Sequence, residues 1–452
     1  MSYIKSYGLY VPAFKIQGSV LHPSGRKNEH RIAYVDEDII TMSFEAAQQC
    51  LHTVSEKIDA VFFAGNMPVF KNRYHASYLA DLLQIPQNIL ALDFFQTNRS
   101  GTDALLMAHQ LIKSKEFKNI LIVAANQSFP SIGKERETPF GHAAVALLVS
   151  ANNGFIKINH TKSYSVGYAE EFEYKNNTVS YDPRFSRTAG FQTCFKSMLA
   201  EINTKNISSF IINSSYAKAA TSDLKNAGVN IETQLISDQV IPSLGYTGAA
   251  HALLRFIYAA ENKSEYCTLI DYNNGINLIE FSVLENKTFS LNKGSNINTY
   301  QDYLTIRKVS NFNSYKYKTV DMFSSEMMNE REKNQLLYLN GFECSECKTI
   351  YLIKSEQCKN CKCKNFTLKK LNTEGKVFTS TKEFYFPASF APITMVVIDL
   401  IGGGRITVQL TDDMYVEQKN KLQIGSKVKL VLRKMLENGN KPNYFYKCIV
   451  EP

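Results

Sequence analysis

Along residues 1 to about 290, short apolar and β-branched runs alternate with longer stretches whose apolar positions recur every three or four residues. The runs Ala60–Ala64 (AVFFA), Asn119–Ala125 (NILIVAA), Ala143–Val149 (AAVALLV), Ser209–Asn213 (SFIIN) and Tyr266–Asp271 (YCTLID) predict strands. In DEDIITMSFEAAQQCLHTV, Ile39, Ile40, Met42, Phe44, Ala47 and Leu51 fall near a 3.6-residue period, which predicts an amphipathic helix. Strands alternating with helices imply a layered α/β fold.

The same pattern occurs twice. IDAVFFAGNMP is matched by ISSFIINSSYA, and SGTDALLMAHQLI by YTGAAHALLRFIYAA. The pair NILIVAANQ and GHAAVALLVS is matched by YCTLIDYNNG and INLIEFSVL. Two such sets predict a duplicated unit. From about Glu285 to Lys333 the pattern gives way to a segment rich in Asn, Ser, Lys and Tyr. It reads as a connector on the surface of the first domain, held down by its tyrosines and leucines. EREKNQLLYLN then predicts a short helix. EGKVFTSTKEFYF, APITMVVIDLIGGGRITVQL, KLQIGSKVKLVLRKML and NYFYKCIV alternate apolar and polar positions between glycine turns, the pattern of a small β-barrel. The expected division is 1–290, 291–333 (connector), 334–370 and 371–452.

Length and composition fit this division. A chain of 452 residues exceeds one ordinary core, and 44% hydrophobic with 21% charged residues is a globular composition. No stretch approaches 18 apolar residues and the opening MSYIKSYGLYVPAFKIQ has no apolar signal region, so the expectation is a cytoplasmic protein that crosses no membrane. Charge is placed unevenly. Residues 331–452 hold 20 Lys and Arg against 12 Asp and Glu, so most of the net +9 lies there. Such a surplus suits nucleic acid, a phosphorylated cofactor, an acidic protein or simply a solvated face.

Cysteine placement supplies the first specific chemistry. Cys50, Cys194 and Cys267 lie in helix or strand interiors, where buried inert thiols are usual. Cys344, Cys347, Cys358, Cys361 and Cys363 crowd together as CSECKTIYLIKSEQCKNCKC. Two C-x2-C knuckles can close a tetrahedron around Zn²⁺, and the symmetric spacing selects Cys344, Cys347, Cys358 and Cys361 over Cys363. Four thiolates leave no open coordination position, so such a zinc would be structural.

The stretches YIKSYGLYVPAFKI, GRKNEHRIAYVDEDIITMSFEAAQQCL, RSGTDALLMA, GHAAVALLVS and LGYTGAAHALL resemble the thiolase-fold 3-hydroxy-3-methylglutaryl-CoA synthases and the related ketoacyl carrier-protein synthase III enzymes. The C-terminal part resembles the zinc-ribbon plus OB-fold domain that accompanies thiolase-like proteins. The resemblance implies a duplicated thiolase-type five-layer αβαβα domain, then a zinc ribbon and a small OB-type barrel. It implies acyltransferase chemistry on a coenzyme A or phosphopantetheine thioester, in a homodimer or a hetero-complex with a thiolase-like subunit, with acyl carrier protein as a further partner.

That family uses a cysteine nucleophile at a helix N-terminus, a glutamate acid/base and a histidine. Laid onto this chain, the cysteine position in TNRSGTDAL is Asn98, the glutamate position is Asn66 and the histidine position is Asn213. An amide is neither nucleophile nor base near neutral pH. The expectation is therefore a synthase-like subunit with a degenerate site, whose ribbon and barrel dock a thiolase partner or hold CoA. One alternative is an active acyltransferase or retro-aldolase that forms no cysteine intermediate. Thr97 and Ser100 are nearby hydroxyls without a matched base. A second alternative is a nucleic-acid-binding OB module, disfavoured by the thiolase-like neighbour. Gly141, His142 and Gly275 are expected along the acyl or CoA channel. His109 and His251 are expected as packing or surface residues on helices. His75, beside Arg73 and Tyr74, is expected at a solvated helix start, and Ile401–Ile406 (IGGGRI) in a barrel hairpin.

Overall fold

A computed structural model describes residues 1–23, 25, 28–175, 177–261, 265–288, 291–307, 326–384, 393–413, 422–435 and 442–451. The chain divides into two compact units: Met1–Ala33, Met42–Asp81 and Ile85–Asp302 in the first, and Tyr34–Thr41, Leu82–Gln84 and Tyr303–Pro452 in the second. Two short N-terminal segments thus belong with the C-terminal region, a grouping that a division into consecutive blocks does not anticipate.

The first unit is built on nine strands. They are β1 (Ser2–Tyr10), β2 (Ala60–Gly65), β3 (Leu90–Phe95), β4 (Asn119–Asn126), β5 (Ala143–Ser150), β6 (Ile156–Ser165), β7 (Ser209–Asn213), β8 (Tyr266–Tyr272) and β9 (Gly275–Val283). All five sequence-predicted strands are present, within two residues at either end. The sheet order is β7-β8-β9-β6-β1-β5-β4-β2-β3. It is two copies of one pattern joined where β1 meets β6 over three residue pairs. In each copy parallel strands are followed by an antiparallel one: β3, β2 and β4 then β5, and β7 and β8 then β9. The counterpart of β3 has shrunk to a single parallel bridge between Leu235 and Phe210. The internal repeat read from the sequence is therefore a structural duplication.

Side-chain alternation explains why the second half is covered on both faces. Ile211, Cys267, Leu269, Ile279 and Phe281 join one apolar cluster, while Phe210, Ile212, Ile270, Ile276 and Leu278 join another. The first cluster includes the two central helices, α3 (Ser100–Lys113) and α6 (His251–Tyr258), through Ala104, Leu105, Ala108, Ala252, Leu253 and Phe256. The second lies under α4 (Thr193–Leu199) and α5 (Ala217–Asn226). Each fully buried Phe or Leu here contributes roughly 1.5–3 kcal/mol. The helices α1 (Ile39–Leu51) and α2 (His75–Leu82) complete the first half. Gly101 in the first turn of α3 permits a close approach, because a Cβ there would stand 2.2 Å from the Ala249 carbonyl oxygen. These layers are those of the thiolase-type fold.

In the second unit, β10 (Asn340–Cys344), β11 (Ile350–Tyr351) and β12 (Phe366–Lys370) form a small antiparallel ribbon. Five further strands follow: β13 (Glu374–Glu383), β14 (Ile393–Leu400), β15 (Arg405–Gln409), β16 (Lys427–Lys434) and β17 (Tyr444–Val450). They pair in the order β15-β14-β13-β16-β17, and a parallel bridge from Leu410 to Cys448 brings the ends together as a nearly closed barrel. The IGGGRI stretch is the β14–β15 turn, where Gly402, Gly403 and Gly404 all take positive φ (+85°, +109°, +94°). Residues 308–325 of the expected connector lie outside the described residues. Its earlier part is held by the first unit, where Ser295–Ile297 pairs with the strand Phe14–Gln17 and Tyr300 donates to Glu135 Oε1 at 3.1 Å.

Candidate functional site

Three of the five parallel strands carry an asparagine just at or after their C-terminal ends, the usual place for ligand groups in an α/β sheet. Asn66 follows β2, Asn126 ends β4 and Asn213 ends β7, while Asn98 precedes α3 by two residues. Asn66 Nδ2 donates to Asn98 Oδ1 at 3.0 Å and to Ser128 Oγ at 3.2 Å. Ser128 Oγ donates to Asn126 Oδ1 at 2.6 Å, and Asn126 Nδ2 donates to the Gly141 carbonyl at 2.9 Å. Two of the three sequence-predicted asparagines therefore meet directly. The buried Asn66 Oδ1 has no protein hydrogen-bond partner, so the pair retains an acceptor.

Asn213 is held elsewhere in the same unit. Its Nδ2 donates to Asp271 Oδ1 at 2.8 Å, and Asp271 Oδ2 accepts from Thr102 Oγ1 at 2.6 Å. Thr102 stands one turn into α3, so this chain of bonds runs from β7 through β8 to the helix that carries Asn98 at its head. Asp271 is fully buried. Burial pushes its carboxyl up to about 6, against the hydrogen bonds from Thr102 and Asn213 that favour the charged form. Asn213 also hydrogen-bonds Tyr246, whose phenol is raised by burial and then by the charges of Asp271 and Asp238.

The remaining predicted residues support this site from behind. His142 is fully buried; its Nδ1 accepts from Ala33 N at 2.9 Å and its Nε2 lies 3.2 Å from the Ser128 carbonyl. Both ring nitrogens are thus engaged by backbone, and the ring fixes the loop that presents Ser128. Gly141 supplies the carbonyl that holds Asn126, and a Cβ on it would stand 2.0 Å from the Leu244 oxygen. Gly275, at φ +115°, leaves room for the Arg99 guanidinium, since a Cβ would stand 2.5 Å from its Nη1. Ser100 Oγ donates to the Thr97 carbonyl at 2.7 Å, and Thr97 Oγ1 accepts from Arg99 N at 3.1 Å. Both hydroxyls serve the turn that opens α3.

The histidines fall into two groups. His109, bonded to Ser2 Oγ at 2.8 Å, and His251, bonded to Asp238 Oδ2 at 2.9 Å and within reach of Thr247 Oγ1 at 3.1 Å, are buried packing residues. His75 corrects the expectation of a solvated helix start, for it is buried. Its Nε2 accepts from Val69 N and Phe70 N, both at 3.1 Å, and Nδ1 meets Asp93 Oδ2 at 2.8 Å. The imidazole pins the loop before α2, and Arg73 lies on the Phe70 and Tyr78 rings instead of facing a ligand. Sequence reasoning missed Asp271, Ser128 and Asn126. The legible signal was a polar side chain ending an otherwise apolar strand, as in YCTLID and NILIVAAN.

In the ribbon, the sulfurs of Cys344, Cys347, Cys358 and Cys361 all lie within 4.8 Å of one another and could hold a metal ion. Each knuckle closes alike: Lys348 N donates to the Cys344 carbonyl at 3.1 Å and Lys362 N to the Cys358 carbonyl at 2.9 Å. Both lysines take positive φ (60° and 66°), the bend that points two sulfurs to one side. Cys363 stands apart, its sulfur accepting from Asn365 N at 3.3 Å. The donor set of four thiolates fits Zn²⁺.

No family model matches the chain. Among curated proteins, the hydroxymethylglutaryl-CoA synthase of Methanosphaera stadtmanae is 22% identical over 341 residues, 68% of this chain and 98% of that protein. The corresponding enzyme of Caldivirga maquilingensis is 24% identical over 176 residues, and the chain spans half of its length. A DUF35 domain-containing scaffold protein of Methanocaldococcus jannaschii is 34% identical over 110 residues, 23% of this chain and 72% of that protein. The chain belongs, through its C-terminal region, to the DUF35 domain-containing proteins.

Over 68% of its length the chain is homologous to a hydroxymethylglutaryl-CoA synthase, and solved structures agree on the fold. An HMG-CoA synthase complexed with CoA covers 63% of the chain and 82% of its own (TM-score 0.55, 18% identity). The curacin-pathway HMG synthase with an acetyl donor acyl carrier protein covers 63% and 80% (TM-score 0.55, 15% identity). The Aquifex aeolicus 3-oxoacyl-carrier-protein synthase III covers 62% and all of its own chain (TM-score 0.54, 17% identity). No helix among the described residues is long and apolar enough to cross a membrane.

Proposed function

We propose that this chain is a synthase-like subunit of an assembly that transfers acyl groups or makes or cleaves carbon–carbon bonds on CoA thioesters. In this reading it holds a thioester without attacking it. The observation that carries the reading is the amide pair Asn66–Asn98, at the places where the related enzymes carry glutamate and cysteine. With Asn213 at the histidine position and committed to Asp271, no residue of this set supplies a thiolate or a free imidazole. The amides suit a hydrogen-bonding role toward a thioester carbonyl. In the ribbon, Cys344, Cys347, Cys358 and Cys361 would hold Zn²⁺, which would organise that segment without taking part in catalysis. The ribbon and barrel would dock a thiolase-type partner or the CoA moiety; the scaffold description of the DUF35 relative supports the first. A carrier-protein-borne thioester is a further candidate, on the analogy of the curacin enzyme's donor complex.

The test is to incubate the purified chain with acetyl-CoA and measure binding by calorimetry and acylation by intact mass. Binding without an adduct is expected, and turnover should need an added thiolase-type subunit. A stoichiometric acyl adduct on the lone chain would overturn the reading.

A second reading is favoured by Asp271, a buried carboxyl held near 6 that accepts from Asn213 and, through Thr102, from the helix headed by Asn98. In it the chain is active without a covalent intermediate, Asp271 acting as a positioning residue through Asn213. Turnover by the chain alone, with an apparent pKa near 6 that disappears in Asp271→Asn, would favour this reading over the first.

A further inference from the structure

The barrel is packed against a piece of the chain some 400 residues upstream of the strands it touches. Residues Tyr34–Thr41 group with the second unit, and their three consecutive acids, Asp36, Glu37 and Asp38, are all buried. Asp36 Oδ2 accepts from Lys447 Nζ and from Thr411 Oγ1, each at 2.7 Å, and its Oδ1 lies 3.5 Å from Arg433 Nε. Glu37 Oε1 lies 3.2 Å from Arg433 Nη2, while Oε2 accepts from Tyr34 N at 2.6 Å. Asp38 Oδ2 accepts from Tyr444 Oη at 2.7 Å. Asp38 Oδ1 accepts from Ile40 N and Thr41 N, both at 3.0 Å, and so caps the start of α1. A main-chain bond from Lys434 N to the Asp36 carbonyl, 2.8 Å, fixes the segment along β16.

Burying three adjacent carboxylates is costly unless cations meet them, and Arg433, 1% exposed, would be equally costly without anions. The segment and the barrel face therefore complete one another. We infer that the barrel face formed by Thr411, Arg433, Tyr444 and Lys447 is a receptor for an acidic peptide segment, filled in this chain by its own Tyr34–Thr41. The inference does not rest on the reading of the asparagine site. It narrows the docking role proposed for the barrel: this face is already taken, so CoA or a partner subunit must use another unless it displaces the segment.

The test uses the full chain carrying Asp36→Asn, Glu37→Gln and Asp38→Asn together, which removes the three charges and keeps a capping side chain at 38. The probe is a fluorescent peptide spanning residues 33–42. The triple variant should bind it with a Kd on the order of 1–10 μM at about 0.15 M salt, and the unmodified chain at least about 30-fold more weakly because its site is filled. A peptide with the three acids amidated should not bind, nor should the native peptide bind the triple variant that also carries Arg433→Gln. Equal binding by the triple variant and the unmodified chain, or equal binding of native and amidated peptides, overturns the inference. Hydrogen exchange on the unmodified chain gives a check that needs no variant. The amides of residues 36–41 and 430–434 should be protected together and loosen together at about 1 M salt. Unprotected 36–41 beside a protected strand would overturn it equally.

Discussion

Asp412→Asn should stabilise the second unit, and increasingly so as pH rises from about 4 to about 7. Three carboxylates crowd the single Arg433 guanidinium: Glu37 and Asp412 lie 3.2 and 3.3 Å from its Nη2, and Asp36 lies 3.5 Å from its Nε. Lys447 offsets Asp36 alone. Burial, aided by the charges of Glu37 and Asp36, pushes the Asp412 carboxyl up to about 7 against the pull of Arg433. The folded pKa lies above the ordinary 3.8, so the folded state favours the protonated form. Stability tied to this group is fully present below about 4 and is lost as pH rises through about 7. Each pH unit of that gap corresponds to about 1.4 kcal/mol, so the loss at pH 8 is on the order of 2–4 kcal/mol after some relaxation of the cluster. Asparagine keeps an acceptor for Arg433 and turns an N–H toward the neighbouring carboxylates. It also suits the left-handed backbone here, φ +55°, which adds a few tenths of a kcal/mol at every pH. The chain has no tryptophan. Unfolding is therefore best followed by circular dichroism or tyrosine fluorescence at about pH 4.5, 6 and 8. A variant less stable than the parent at pH 8, or a difference that does not grow with pH, would refute the reasoning.

Other outcomes test other parts of the molecule. Purified chain should carry about one zinc, and Cys344→Ser or a strong chelator should remove it and unfold the ribbon Asn340–Lys370, measured by metal analysis and hydrogen exchange; a metal-free ribbon that melts unchanged would contradict the site. Asn66→Ala should cost about 1–2 kcal/mol of stability, two neutral hydrogen bonds to the partly exposed Asn98 and Ser128, while weakening acetyl-CoA binding several-fold by calorimetry. Stability lost without any change in binding would make the amide pair purely structural. His75→Ala should cost roughly 2–4 kcal/mol in chemical denaturation, because Val69 N, Phe70 N and Asp93 all lose a buried partner. A loss below about 0.5 kcal/mol would show that the imidazole does not pin that loop.

Sequence patterning was informative wherever one physical rule governs a stretch. Strands β2, β4, β5, β7 and β8 are apolar along their length because both faces are covered, and the repeat survived because each half must bury the same faces. The two C-x2-C knuckles were legible because tetrahedral sulfur geometry restricts spacing. His75 was misplaced for the opposite reason. Its neighbours Lys71, Asn72, Arg73 and Tyr74 are exposed, and its partner Asp93 stands 18 residues away on strand β3. Asp271 was overlooked because a strand-ending acid looks like an ordinary solvated terminus until Thr102, 169 residues earlier, and Asn213 are seen to bond it.

Net charge is the signal that the fold alters most, and the reason is topological. Residues 331–452 carry a surplus of eight positive charges, which by itself suggests a surface for nucleic acid or phosphate. Asp36, Glu37 and Asp38 fold into the same unit, and counted together with residues 331–452 they lower the surplus to five. Four zinc-bound thiolates would remove about two more. Arg433 and Lys447 are among the cations neutralised, and both are buried and unable to meet a polyanion. What remains is spread over exposed lysines of the ribbon and barrel, such as Lys348, Lys359, Lys362 and Lys376. A charge count follows the chain, whereas a field follows the fold. Here a three-residue acidic segment near the N-terminus belongs electrostatically to a barrel that begins more than 330 residues later.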